Sequence, residues 1–251
     1  MNKMSEKEIV PGAYVVMTYI AKTEEGEVVE STKRKIKREE KEEEVDIPIV
    51  VKVGAKEVFF DEDLVGLKKG EEKELVIPPE KAYGKRDPKK IERVPVKRLK
   101  AMMGGKRPEV GAILYTEDGN YYGKIVYVGA RDALVDKNHP YADKTIKVQV
   151  KIHDIVTPVD PPNEVLQIIL KRYFSDYATQ LKASITNGTI EIVMPSELTM
   201  SLSAWELIRE IYARRKSAAE ELLKELTVSQ VRFIDEFALE AVKEGEKEKT
   251  E

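Results

Sequence analysis

The strictest alternation in the chain runs through KTIKVQVKIHDI, Lys144 to Ile155, where Ile146, Val148, Val150 and Ile152 fall on one face. A period of two over that length predicts a half-buried β-strand. Tyr14 to Ile20, within AYVVMTYIAK, is rich in β-branched and aromatic residues. The turn residues Glu24-Glu25-Gly26 and then Val28 and Val29 follow it, which predicts a hairpin. Ile47 to Val53 and Glu74 to Ile77 predict two more strands, the second closed by Pro78-Pro79. Between them Asp61 to Leu67 predicts one or two helical turns ended by glycine.

After Pro88 the pattern changes. Val94-Pro95 and Gly104-Gly105 precede short alternating segments, Ala112 to Thr116, Tyr121 to Val128 and Ala133 to Asp136, separated by Asp118-Gly119 and Gly129. These predict a small antiparallel β unit. TPVDPP, Thr157 to Pro162, reads as a linker. Beyond it Asn163 is placed to cap a helix carrying Val165, Leu166, Ile169 and Tyr173. Leu181 to Ile185 and Thr189 to Val193 flank Asn187-Gly188, which suits a type I′ hairpin. Ser203 and Glu206 form a capping box for a helix to about Leu226, with Leu207, Ile211, Ala218 and Leu222 on one stripe. Val231 to Phe237 predicts a last strand, and the residues from Gly245 onward a frayed charged tail. The order helix, hairpin, helix, strand predicts an α+β domain.

KRKIKREEKEEE, Lys33 to Glu44, has a basic half, an acidic half and almost nothing to bury, which predicts a solvated loop or short helix. Over the 251 residues, 43 basic and 46 acidic side chains leave a net charge of −3, so a nucleic-acid binder relying on bulk positive charge is disfavoured. Only Lys33 to Arg38 offers a local basic patch. Hydrophobic residues make up 41% of the chain, enough for folded cores. The absence of cysteine excludes disulfides, thiolate metal sites and cysteine nucleophiles, and fits a reducing compartment. Five Asn and four Gln beside abundant Lys and Glu match the bias of proteins that work at high temperature. The longest nearly apolar stretch, Ala13 to Ala21, is far short of the roughly 20 residues of a membrane helix. MNKMSEKEIV lacks a signal-peptide core, so a cytoplasmic protein is expected.

The sequence offers no Gly-rich phosphate loop, no nucleophile elbow and no metal-ligand cluster. His139 and His153 are the only histidines, and His153 falls out of phase with the apolar face of its strand, where exposure is expected. An enzyme built on this chain must need neither covalent attack nor proton transfer. Prolyl cis/trans isomerisation is such a reaction, its barrier of roughly 18–20 kcal/mol being amide resonance. An apolar pocket disfavours the planar amide relative to the twisted transition state, and a few donors hold the carbonyl while it turns.

The segments VVMTYIAKTEEGEVVEST, VIPPEKAYGKRDP and VDKNHPYADKTIKVQVKIHDI resemble the FKBP family of macrolide-binding prolyl isomerases. The likeness is to its SlyD-like branch, in which an extra domain interrupts the flap. A further carboxy-terminal domain closing on VSQVRFIDEF is similar to long archaeal members. The resemblance implies an α+β fold: an FKBP-type antiparallel half-barrel around a short helix (1–86 plus 139–158), an inserted β domain (87–138) and a C-terminal α+β domain (160–251).

The same resemblance assigns Tyr19 to the pocket wall, Val29 to a position often aromatic, Glu30 to the usual pocket aspartate and Tyr83 to the tyrosine that holds the peptide. It places Val148 at a position often Phe, and a wall and aromatic floor at Val58-Phe59-Phe60, with the floor open between Phe59 and Phe60. That segment lacks the family's glycine step and is about two residues short. In the insert, Met102, Met103, Tyr115, Tyr121, Tyr122 and Tyr127 exceed what so small a unit can bury. The resemblance implies a chaperone surface there for unfolded, proline-containing polypeptides. The alternatives are a non-enzymatic holding chaperone with a decayed pocket, and a mere core for Tyr19, Phe59, Phe60 and Tyr83. No cofactor, metal, membrane or nucleic-acid partner is expected. A homodimer through 160–251 is expected, with Trp205, Ile208, Phe233 and Phe237 near the contact.

Overall fold

The computed structural model describes residues 7–38, 41–195 and 205–236. Its first sheet is built on two long antiparallel strands, β1 (Tyr14–Thr23) and β11 (Ile146–Val156). On the far side of β11 lies β6 (Glu72–Ile77). The free edge of β1 is shared: β5 (Ile49–Lys52) pairs with its first half and β2 (Val28–Ser31) with its second. Ile146, Val148, Val150 and Ile152 all point into one core, as their period of two predicts. They meet Val15, Met17, Leu75 and Ile77 there. The 3₁₀ turn Asp61–Leu64 closes it, flanked by fully buried Phe60 and Leu64. Gly66, at φ +86°, turns the chain out again.

β1 reads as a nearly continuous apolar run because both of its faces are covered. Tyr14 and Val16, opposite to Val15 and Met17, are buried under α2 (Pro162–Phe174). The expected cap at Asn163 is corrected. Pro161 is the N-cap and Pro162 the first helical residue, where a fixed φ suits helix entry and the missing N–H costs nothing.

β12 (Lys182–Thr186) and β13 (Thr189–Pro195) form the expected hairpin, with Asn187 and Gly188 both at positive φ. α3 (Trp205–Glu225) buries Ala218 and Leu222 completely. It is the crossover that lets β14 (Gln230–Glu236) lie parallel to β13. This C-terminal unit and the outer face of β1 share one hydrophobic cluster. Phe233, expected near a dimer contact, is half-buried within its own chain, 6.4 Å from the Phe174 ring. The Ser203–Glu206 capping box, the Trp205, Leu207, Ile208 and Phe237 side chains and the tail from Gly245 lie outside the described residues.

The second sheet has the order β7 (Ile91–Pro95), β10 (Asp132–Asp136), β9 (Tyr121–Val128), β8 (Ile113–Tyr115). α1 (Val96–Met102) seals its small core with fully buried Leu99. β7 and α1 add to the three strands expected here; each is too short to carry a readable period. Gly123 lets β9 approach β10 closely, since a Cβ there would sit 2.7 Å from the Asp136 carbonyl oxygen.

A second correction concerns Lys33 to Glu44. It is neither loop nor helix but a two-stranded ribbon of β3 (Lys33–Arg38) and β4 (Lys41–Asp46). The register sets Lys33 opposite Asp46, Lys35 opposite Glu44 and Lys37 opposite Glu42. The charges that looked like a solvated run are matched across strands.

Candidate active site

Two β-bulges shape the sheet around the site. In β2, Ala21 pairs with Glu30 and Lys22 with Val28, which leaves Val29 as the extra residue. A bulge re-aims side chains, and here both Val29 and Glu30 turn inward: Val29 packs on the core, and Glu30 reaches two tyrosines. In β11 the bulged residue is His153, between the partners of Val16 and Met17. The expected exposure of His153 is therefore corrected: it is half-buried, with Nε2 2.9 Å from Thr18 Oγ1.

Tyr19 is held from behind. The buried Thr32 hydroxyl accepts from the Tyr19 N–H at 2.9 Å and lies 3.1 Å from its carbonyl oxygen, so the backbone carrying the ring is pinned on both sides. From Tyr19 the aromatic rings form a continuous chain. Tyr19 and Phe60 meet edge-on at 5.0 Å, Phe60 and Phe59 at 5.2 Å, and Phe59 and Tyr83 at 5.4 Å. His139 stacks on Tyr83 at 4.2 Å and 3°, and Tyr141 leans on both. Phe60 and Val148 are fully buried, whereas Tyr19, Val29, Val58, Phe59 and Tyr83 are partly open against the same core.

Glu30 closes the cluster. Its carboxylate accepts from the Tyr83 hydroxyl at 2.7 Å and from the Tyr19 hydroxyl at 3.1 Å. Burial pushes both phenols up, and the Glu30 charge adds to it. Burial holds His139 below its ordinary range, against the opposing pull of Glu30. At neutral pH the site therefore presents neutral phenols, a neutral imidazole and apolar rings. Two ties fasten the segment after His139 to the β1–β2 turn: Tyr141 donates to Glu27 at 3.1 Å and Lys144 pairs with Glu25 at 2.6 Å.

The family described as FKBP-type peptidyl-prolyl cis-trans isomerase matches residues 5–99, and FKBP26_C-terminal matches 162–238. The short-type peptidyl-prolyl cis-trans isomerase of Methanocaldococcus jannaschii is 32% identical over 155 residues, 59% of this chain and 94% of that protein. The chain belongs to the FKBP-type peptidyl-prolyl cis-trans isomerase family. The FKBP-type isomerase SlyD of Aeromonas hydrophila is 26% identical over 59% of this chain and 65% of its own length. A probable FKBP-type 16 kDa isomerase of Pseudomonas fluorescens is 28% identical over 61% of this chain and 95% of its own.

Against this FKBP frame, the structure brings Tyr19, Val29, Glu30, Val58, Phe59, Phe60, Tyr83 and Val148 into one cluster. The insert residues named from the sequence lie apart from that cluster and divide in two. Met102, Tyr115 and Tyr127 are exposed, as are Val110 and Ile113. Met103 and Tyr122 pack on the insert core, with Lys137 Nζ 4.5 Å from the Tyr122 ring, and Tyr121 is half-buried. His139 and Tyr141 received no role from the sequence although they lie in the NHPYA segment; a stack on a ring far away in the chain leaves no local pattern. Among the described residues no group of three His, Asp or Glu is placed to hold a metal, and no helix is long and apolar enough to cross a membrane.

Proposed function

We propose that the protein isomerises peptidyl-prolyl bonds at the Tyr19–Tyr83 cluster and that the insert holds unfolded polypeptide while it does so. The observation that carries the first half is Glu30 between two phenols above a fully buried Phe60. Phe59 or Phe60 then supplies the floor for the proline ring, and Tyr19, Val29 and Val58 its apolar surround, with Val148 buried behind them. The Tyr83 hydroxyl is the donor for the substrate carbonyl. At rest its single hydrogen is donated to Glu30 at 2.7 Å, so the phenol is held at the pocket and turns from the carboxylate to the substrate carbonyl when substrate enters. No bond to carbon forms or breaks. Catalysis consists of stabilising the twisted amide in an apolar site.

The second half rests on Met102, Val110, Ile113, Tyr115 and Tyr127, exposed apolar and amphipathic side chains on one small unit. Flexible methionine and tyrosine suit many different chains. A weak second contact raises the local concentration of substrate at the pocket. A purely holding protein with a decayed pocket has less support, because the shortened Val58–Phe60 segment still brings Phe59 and Phe60 against Tyr83 and Tyr19. Residues 160–251 are proposed to pair two copies. The test is turnover of a proline tetrapeptide by the intact chain. Turnover above the uncatalysed rate is expected, and its absence overturns the isomerase reading in favour of the holding chaperone.

A further inference from the structure

Outside the aromatic cluster, the densest knot of shielded charge lies where the C-terminal unit meets the first sheet. Arg172, in the last turn of α2, is its hub. One guanidinium nitrogen pairs with Glu57 and another lies 3.3 Å from Glu221 of α3. Glu221 in turn accepts from the Tyr14 and Tyr173 hydroxyls, each at 2.6 Å. Tyr14 is fully buried on β1 and lies under the guanidinium, 5.9 Å from ring centre to Cζ. Although burial works against the charge of Arg172, the two carboxylates outweigh it and its pKa is raised. Nearby, Lys52 of β5 bridges Glu225 at 2.6 Å and lies 5.3 Å from the centre of the Tyr14 ring, with no ion pair to Glu57.

Glu57 is not a bystander on the isomerase side. It sits in the loop that leaves β5 and delivers Val58-Phe59-Phe60 to the pocket. That loop holds two residues at positive φ, Gly54 at +90° and Lys56 at +58°, and for lysine this is a strained conformation. From inside, the buried Asp61 carboxylate grips it, accepting from the Gly54 N–H at 3.1 Å and the Lys56 N–H at 2.7 Å. From outside, Arg172 grips Glu57, the residue directly before Val58. The loop is thus clamped at both faces, and one clamp belongs to the C-terminal unit.

We propose that Arg172 is a positioning residue for the isomerase pocket: by holding Glu57 it fixes the loop that presents Phe59 and Phe60, so the C-terminal unit sets the pocket's geometry. This rests on the reading of the aromatic cluster as the prolyl site. Arg172 touches no substrate; it acts through Glu57.

The experiment measures kcat and KM for a proline tetrapeptide on the full-length chain. Arg172→Met and Glu57→Gln should each lower kcat/KM about five-fold, through KM more than kcat. The double variant should be little worse than Arg172→Met alone, because both changes remove the Arg172–Glu57 pair. Arg172→Lys should recover part of the loss. Lys52→Met, which breaks the other bridge at the same interface without touching the loop, should stay within about two-fold of wild type. Circular dichroism checks that Arg172→Met folds, and Glu57→Gln, on the surface loop, repeats the test without altering α2. Wild-type kcat/KM in both Arg172→Met and Glu57→Gln, or an equal loss in Lys52→Met, overturns the inference while leaving the isomerase reading intact. Absence of turnover in the wild-type chain overturns both.

Discussion

Phe60→Leu decides which ring forms the floor. Phe60 is fully buried, edge-on to Tyr19 at 5.0 Å and to Phe59 at 5.2 Å. Each such pair adds about 0.5–1.5 kcal/mol beyond its buried area. Leucine keeps much of the apolar volume but neither pair, so the loss is about 1–3 kcal/mol. For a chain of this length about 2 kcal/mol corresponds to a fall of about 4–8 °C in Tm. Turnover should suffer more than stability suggests, because the proline ring loses its flat support; kcat/KM on a proline tetrapeptide should drop about ten-fold, near 1.4 kcal/mol of transition-state binding. Phe59→Leu removes a ring that is only half-buried and should cost less on both measures. Thermal unfolding and peptide turnover are read on the same preparations. A larger loss of turnover in Phe59→Leu would place the floor at Phe59. A fall in Tm for both variants with wild-type turnover would mean that the cluster is ordinary core.

Further expectations concern titration, the insert and assembly. Burial raises the Tyr19 and Tyr83 phenols, so the folded protein keeps them protonated where the unfolded chain ionises. Their stabilisation is complete below about pH 10 and is lost as pH rises beyond it; tyrosinate absorbance rising with an ordinary pKa for every tyrosine would contradict this. His139 has the opposite sign: its pKa is lowered, so its contribution is present above the unfolded value of about 6.5 and lost as pH falls. His139→Phe keeps the stack on Tyr83 and should flatten the acid limb of the activity profile, and an unchanged limb refutes a role for this ring. Replacing residues 88–137 by a short turn should spare tetrapeptide turnover and slow catalysis of proline-limited refolding, because Asp87 and Asn138 bond across the base of the insert at 2.9 and 3.0 Å and so remain to close it. Equal losses on peptide and protein would make the insert structural. Light scattering should show a full-length dimer; a monomer at tens of micromolar removes the proposed pairing through 160–251.

The period-two stretch IKVQVKI of β11 was legible because one face meets core and the other water, so Ile146 to Ile152 alternate without exception. The Asn187-Gly188 turn was legible because its φ angles exclude most other residues. The β3–β4 ribbon was not: matching of Lys33 with Asp46 depends on a register that no local period reports. Nor was the parallel pairing of β13 with β14, since hydrophobicity predicts a strand but not its direction. At the site, Tyr19, Glu30 and Tyr83 could be aligned with a known family from their flanking motifs. That Glu30 ties both phenols together, and that His139 lies flat on Tyr83, depends on a β-bulge and on contacts between distant segments. That Phe60 is fully buried and Phe59 only half-buried was not legible either, because the shortened loop obscured their alignment in the sequence.

The central claim is that the Tyr83 side chain serves prolyl isomerisation at the Glu30 cluster. Its most direct test compares wild-type protein with Tyr83→Ala on a proline tetrapeptide, with far-UV circular dichroism recorded for both. The account predicts clear turnover by wild type, a markedly lower rate for Tyr83→Ala and superimposable spectra. Equal rates for the two proteins, or a wild-type rate no greater than that of the uncatalysed reaction, would contradict it.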